Sequence, residues 1–226
     1  MQLLFLGTGA ADWPRDLTEN KGEYRRWSSA LVDDALLIDP GPHAMEAMKT
    51  FGKDPAKVKY IINTHPHADH FCPETVAQFE ALGAKVTPLA ADTSATLGNY
   101  TVSAYQANHG TCSPSVHFLI TDGDRTLFYA LDSAWLLYTE VQAIIGAKPD
   151  LLVLDATIGD IDGDYRIFEH NNLNMVLEMQ KTLAPHVKRF CISHMARTLH
   201  TDHETLVERM APHGVLVACD GLAVEV

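Results

Sequence analysis

Cysteine, positive charge and long apolar runs are all scarce in this chain of 226 residues. The four cysteines, Cys72, Cys112, Cys191 and Cys219, form no C-x-x-C pair, which excludes a disulfide scaffold and a thiolate zinc cluster and suits a reducing cytoplasm. Lys and Arg number 17 against 29 Asp and Glu, a net charge of −12, so no nucleic-acid or anionic-lipid partner is expected and small substrates are favoured over polymers. The apolar stretch at residues 3–6 stops at Gly7 and soon meets Asp12, too short for a signal peptide or a membrane span, and is read as a mature, soluble end. No repeat, low-complexity tract, linker or G-x-S-x-G elbow is present, so one domain spanning 1–226 is expected, with no serine nucleophile.

What the chain does have is His65-Pro66-His67-Ala68-Asp69-His70, placed where an apolar run at 58–62 ends. Imidazole nitrogen and carboxylate oxygen suit zinc, manganese or iron. Four such groups so close together exceed what one catalytic ion needs if a water is to stay bound, so two ions are the natural reading. A solvated histidine-rich turn is the plainer alternative, and the density of donors argues against it.

Apolar patterning marks strands at 2–6, 29–32, 36–39, 58–63, 85–88, 100–107, 116–121, 125–131, 151–155 and 188–193. Helices are expected at 73–80, 136–145, 172–183 and 202–210, the last opened by a Thr201/Glu204 capping box. Layered sheets covered by helices are the architecture implied. Asp39, His65 to His70, His109, Asp132, Asp155 and His194 all fall at or just past the C-terminal end of a predicted strand, where loops can converge on one rigidly held site. Individually each has a plain reading: Asp39 opens an Asp-Pro-Gly-Pro turn, and Asp132 could cap a helix. Together those readings are weak.

The H-x-H-x-D-H run, the upstream Asp39 and the later His109, Asp132 and His194 resemble the metallo-β-lactamase superfamily of dinuclear hydrolases over nearly the whole chain. The resemblance implies an α/β fold, an αββα four-layer sandwich of two mixed β-sheets flanked by helices, with the metals at one edge. It implies that His65, His67 and His109 hold one ion, that Asp69, His70 and His194 hold the other, and that Asp132 bridges them. Asp39 would support the ligands without binding metal. Two divalent cations are implied, zinc foremost, with manganese or iron as alternatives. A water they share, its pKa lowered from 15.7 to roughly 7, would be the nucleophile.

The opening segment at 4–11, with Gly7-x-Gly9, resembles the start of the phosphodiesterase branch, which contains RNase Z and the cyclic phosphodiesterase of phosphonate breakdown. Taken alone, Gly7-x-Gly9 is a weak signal that a tight turn would also produce. His170, 24 residues before His194, resembles that branch's additional non-ligand histidine, which assists phosphate chemistry; an N-terminal cap or surface histidine is the alternative. Asp69, Asp132 and His170 are thus the expected catalytic residues, with no other cofactor-binding group. The long RNase Z arm for transfer RNA has no counterpart here, nor does the cysteine-bound structural zinc of the phosphonate-pathway enzyme.

Residues 10–27 read as a lid or pocket wall in which Arg15, Lys21, Arg25 and Arg26 meet an anionic small molecule while Trp13, Tyr24 and Trp27 pack on its organic part. An ordinary solvated loop is the alternative for any single Arg. Arg197 is a further candidate phosphate contact, and Cys112 is expected to be a small buried residue near the site. The function expected is a metal-dependent phosphodiesterase for small or cyclic phosphodiesters. A lactone, thioester or amide hydrolase on the same site is the alternative, and a redox di-iron or degenerate binding protein a third, the former opposed by the retention of His67 and the latter by the complete ligand set. A homodimer is compatible with the sequence, which does not decide oligomeric state.

Overall fold

The computed structural model describes residues 1–19 and 23–226. Lys21, one of the four cations assigned to the lid, lies outside the described residues. In chain order the strands are β1 (Gln2–Gly7), β2 (Ser29–Val32), β3 (Leu36–Ile38), β4 (Tyr60–Ile62), β5 (Lys85–Val86), β6 (Ser94–Leu97), β7 (Tyr100–Gln106), β8 (Val116–Thr121), β9 (Thr126–Ala130), β10 (Leu151–Asp155), β11 (Arg189–Ser193), β12 (Val215–Val217) and β13 (Ala223–Glu225). The α-helices are α1 (Ala44–Thr50), α2 (Pro73–Ala81), α3 (Tyr138–Ala147), α4 (Leu173–Leu183) and α5 (His203–Met210).

The strands form two sheets, in the orders β13-β1-β2-β3-β4-β5 and β12-β11-β10-β9-β8-β7-β6. Both are mixed: β3 to β5 and β9 to β12 run parallel to their neighbours, while the remaining pairs are antiparallel. Side chains alternate across each strand, so Leu3, Phe5, Val32 and Ile38 meet Val102, Phe118, Ile120, Tyr129 and Val153 between the sheets. The opposite face of the first sheet, with Leu4, Leu6, Leu31 and Ile61, is covered by Ala44, Met48 and Phe79 of α1 and α2. The opposite face of the second carries Phe128, Leu152, Leu154 and Ile192 under Ile144, Val176, Met179 and Leu206 of α3, α4 and α5. This is the αββα sandwich the resemblance implied. Truncating one fully buried side chain such as Phe118 to Ala would cost about 3–5 kcal/mol.

Three strands escaped the sequence reading, β6, β12 and β13, and all are short elements at or next to sheet edges. The seven-residue α1 escaped it too, because His43 before it makes no side-chain cap and the helix spans barely two turns. Helix α5 starts one residue later than expected: Asp202, not Thr201, is the N-cap, its carboxylate accepting from Thr205 N at 3.0 Å. Asn172 caps α4 in the same way, accepting from Met175 N at 2.9 Å.

The Gly7-x-Gly9 segment is a joint between strands. A Cβ on Gly7 would lie 2.0 Å from Trp27 O. Gly9 bridges both Trp27 and Met195, and Met195 N donates to Thr8 O at 2.9 Å, so the end of β1 is stitched to the loop that carries His194. Among the described residues, no helix is long and apolar enough to cross a membrane.

Candidate metal centre

Each expected ligand emerges from the same end of the sandwich. Asp39 follows β3, the hexad follows β4, His109 follows β7, Asp132 follows β9 and His194 follows β11. Asp39, Asp132 and His194 hold left-handed backbone conformations, with φ of 56°, 62° and 63°. That geometry is unfavourable for a residue with a side chain, and it turns the chain sharply enough to aim these groups across the strand ends. Gly41 permits a further close approach: a Cβ there would lie 2.4 Å from Asp69 O, so the turn after Asp39 can pack against the hexad backbone only without a side chain.

The donors gather into three groups that share Asp132: two contain the expected ligands, and the third joins Asp132 and His194 to Asp155 and His170. His65, His67, His109 and Asp132 offer ligand atoms all within 4.8 Å of one another, as do Asp69, His70, Asp132 and His194. Asp132 Oδ2 lies 3.0 Å from His65 Nε2 and 3.1 Å from His70 Nε2. In the first group His67 presents Nδ1, 3.0 Å from His65 Nε2 and 3.2 Å from His109 Nε2. In the second, His70 Nε2 and His194 Nε2 are 3.1 Å apart, with Asp69 Oδ2 at 3.5 and 3.7 Å from them.

Behind the donors stand two parallel supports. Asp39 Oδ2 accepts from His70 Nδ1 at 2.8 Å, while Oδ1 accepts from Thr64 N at 2.7 Å. The Thr64 hydroxyl donates to Asp39 and lies 3.0 Å from His65 Nδ1, whose proton it can accept. Across the site Thr157 donates to Asp155 Oδ2 at 2.8 Å and lies 2.7 Å from His194 Nδ1. Each arrangement places the ring proton on Nδ1 and leaves the Nε2 lone pair turned inward, as a metal ligand requires. Asp155 Oδ1 also accepts from Thr157 N and Asn171 N, both at 3.0 Å.

Charge follows from this enclosure. Burial pushes His65 down to about 4, helped by neighbouring His70, and burial also lowers His109. For His194 burial would act the same way, but Asp132, Asp155 and Asp69 overcome it and raise the ring to about 10. His70 is raised well above its ordinary value by Asp69 and Asp39 against burial. Burial would raise Asp69, yet His70 and His194 hold it down at about 2, and histidines likewise hold Asp132 and Asp155 below the usual carboxylate range. The carboxylates thus draw positive charge to the centre of the site.

The donor set fits two divalent cations. Asp132 Oδ1 is buried and makes no hydrogen bond, although His170 Nδ1 is 3.0 Å away. His109 Nδ1 is likewise without an aligned partner despite Glu169 Oε2 at 3.0 Å. Facing ring nitrogens at 3.0–3.2 Å compete for a single proton, whereas a cation between them would satisfy both.

His170 also reaches the site. Its Nδ1 is 3.1 Å from Asp155 Oδ2, and Nε2 has no hydrogen-bond partner among the described residues. Burial would lower this ring, but Asp155 and Asp132 raise it. The cleft above the donors has a volume of about 380 Å³ and is bordered by His67, His109, His170, Tyr165, Arg166 and Glu169.

The expected lid takes a different form. Of its described residues, only Ala10 to Asp12 border the cleft. Arg25 is buried and donates to Thr8 Oγ1 and Ala218 O, both at 2.8 Å. Arg26 pairs with Glu46 at 2.6 Å. Arg15 is exposed, its carbonyl 2.8 Å from His43 Nε2, and it does not border the cleft. Trp13 Nε1 donates to Met195 O and Trp27 Nε1 to Trp13 O, each at 2.8 Å, which fixes both rings as packing elements, and Tyr24 packs edge-on to Trp13. Arg26 is thus held by one of the acidic residues that outnumber the cations, and Arg25 by a hydroxyl and a carbonyl. Arg197 lies over Trp13, off the cleft, and Cys112 is only half-buried.

The sequence reading puts Asp155 at the site without a role and does not single out Thr64, Thr157 or Glu169. Their sequence signal was adjacency alone: Thr64 precedes His65, Thr157 sits two residues past Asp155, and Glu169 precedes His170.

A metallo-β-lactamase superfamily model matches residues 28–72, the segment from β2 through the hexad. No curated protein sequence matches the chain. Among solved structures, Zn(2+)-bound PqqB from Methylobacterium extorquens superposes with a TM-score of 0.76 at 16% identity, covering 100% of each chain. A diphosphatase from the PhnP family gives 0.73 at 18% identity, covering 100% of this chain and 97% of its own. The short form of human tRNase Z gives 0.73 at 18% identity, covering 100% and 99%. With residues 28–72 matching the metallo-β-lactamase superfamily model and two mixed sheets between helices that superpose on solved structures of that fold, the chain has the metallo-β-lactamase fold.

Proposed function

We propose that this protein is a dinuclear metal-dependent phosphodiesterase acting on a small or cyclic phosphodiester. The observation that carries the reading is His170, held through Nδ1 by Asp155 with Nε2 free at the cleft, beside the two groups of expected ligands that share Asp132. His65, His67 and His109 would hold one cation, Asp69, His70 and His194 the other, and Asp132 both. Such a pair, when bound, lowers the pKa of water and neutralises charge on phosphoryl oxygens. His170 is placed to protonate a departing alkoxide or to hydrogen-bond a phosphoryl oxygen, and Asp155 fixes the ring for either task. Tyr165, largely exposed at the mouth, offers an aromatic face to the organic part of the substrate. A diphosphatase and a tRNase Z stand among the similar folds, which accords with this reading.

One observation favours a second reading, an uncharged lactone, thioester or amide as substrate. Arg166 is the one Lys or Arg bordering the cleft among the described residues, and it is tied to Asp164 at 2.6 Å. Without a free Lys or Arg, anion recognition falls to the metals and His170. Protein loaded with zinc or manganese should hydrolyse bis-p-nitrophenyl phosphate faster than matched lactones and thioesters, and chelator should abolish that activity. Ester turnover without phosphodiester turnover would establish the second reading instead.

A further inference from the structure

His117 and Glu140 form a fully buried pair that no step above uses. His117 lies on β8, whose Val116, Phe118 and Ile120 enter the core between the sheets, so His117 points to the opposite face, beneath α3. Its Nδ1 meets Glu140 Oε1 at 2.5 Å, and both side chains are wholly shielded from water. The remaining atoms of the pair reach the backbone. His117 Nε2 donates to Leu131 O at 3.2 Å, and Glu140 Oε2 accepts from Leu137 N at 2.7 Å.

Leu131 and Leu137 are the two ends of the segment that joins β9 to α3, and that segment carries Asp132 immediately after Leu131. The backbone at Asp132 is left-handed, a conformation that persists only where its surroundings enforce it. A second set of bonds holds the middle of the segment: Asn108 N donates to Ser133 Oγ at 3.1 Å and Ala134 N to Asn108 O at 3.2 Å. Asn108 adjoins His109, so this strap links the shared carboxylate to a ligand of the first group.

Burying a histidine and a carboxylate is a poor way to gain stability, since apolar side chains of similar volume commonly do as well or better. What the pair provides is position. We propose that His117 and Glu140 are positioning residues for Asp132, clamping both ends of its loop so that one carboxylate serves two cations. The proposal rests on the dinuclear reading of the site.

The test uses the full chain as H117Q and E140Q, each keeping a polar group of similar size, titrated with cobalt(II) and followed by visible absorption alongside thermal unfolding of the metal-free protein. Both variants should bind at least one cobalt equivalent about 10–100-fold more weakly, with an altered spectrum, and lose kcat for bis-p-nitrophenyl phosphate more than they change KM. Supplying saturating metal should restore stoichiometry but not the wild-type spectrum. A role confined to folding would lower the unfolding temperature and leave affinity and spectrum unchanged, which overturns the proposal. If one variant does not fold, the other decides. If the wild type takes up fewer than two ions, the dinuclear reading falls and this inference with it, whereas two ions bound identically by wild type and variants would refute the inference alone.

Discussion

Asp39 Oδ2 accepts from His70 Nδ1 at 2.8 Å, with both side chains closed off from solvent. The same carboxylate holds Thr64, which in turn contacts His65. One aspartate therefore orients a ligand in each donor group. Asp39→Ala should weaken metal binding about 10–100-fold, measured by competition with a chromogenic chelator. It should also destabilise the fold by about 1–3 kcal/mol, because Thr64 N loses its buried acceptor. Unchanged affinity would remove Asp39 from the support of the site.

Asp132 lies within reach of every donor in both groups. Its loss should exceed what loss of an outer support costs, so Asp132→Ala should reduce phosphodiester turnover by more than about 100-fold. Elemental analysis should find fewer than two ions per chain in the variant. A variant that retains two ions and full turnover would show that the carboxylate is not shared.

His170 is not a ligand in the proposed scheme, although it offers a nitrogen within 4.8 Å of donor atoms of Asp132, Asp155 and His194. His170→Ala should therefore keep its metal content while kcat drops about 10²–10⁴-fold, the range for a lost proton donor. Undiminished turnover would retire its role. A parallel loss of metal would make it a ligand instead.

The close approach of Gly41 to Asp69 O, 2.4 Å from an added Cβ, leaves no room for a methyl group against backbone. Gly41→Ala should lower the unfolding temperature and displace the hexad, so metal uptake and thermal stability should fall together. A variant that lost neither would show that the turn relaxes freely.

Asp150 offers a pH test remote from the site. Burial would raise its pKa, but Lys188 at 2.5 Å, the backbone N–H of Thr126 at 2.8 Å and Arg125 hold it below the ordinary value. A folded pKa below the unfolded value of about 3.9 stabilises the protein above that pH and ceases to do so as the carboxylate is protonated in acid. Wild type should then be more thermally stable than Asp150→Asn at pH 7, and the gap should narrow toward pH 3. A gap that is constant with pH would mean the charge contributes nothing.

The ligands were legible because their chemistry is dense and local. Six consecutive positions supply four donors, and the remaining ones follow strands whose uninterrupted apolar runs stand out from their surroundings. The cations of residues 10–27 misled for the opposite reason. Sequence shows that Arg25 and Arg26 are charged, but not that Thr8, Glu46 and Asp220 lie close enough to occupy them. Those partners are up to 194 positions away along the chain.

By itself the sequence determined layered sheets covered by helices, through apolar periodicity, and the class of chemistry, through the kind and spacing of its donors; the αββα order was implied by the family resemblance. Only the tertiary structure decided that Thr64 and Thr157 set the ring protons and that His117 and Glu140 grip the loop of Asp132 from below, while Asp132 stands between both groups of histidines as the resemblance implied. The physical reason is distance. Periodicity and donor type are properties of neighbouring residues, whereas a shared carboxylate or a buried clamp exists only when strand ends far apart in the chain are brought within a few ångströms.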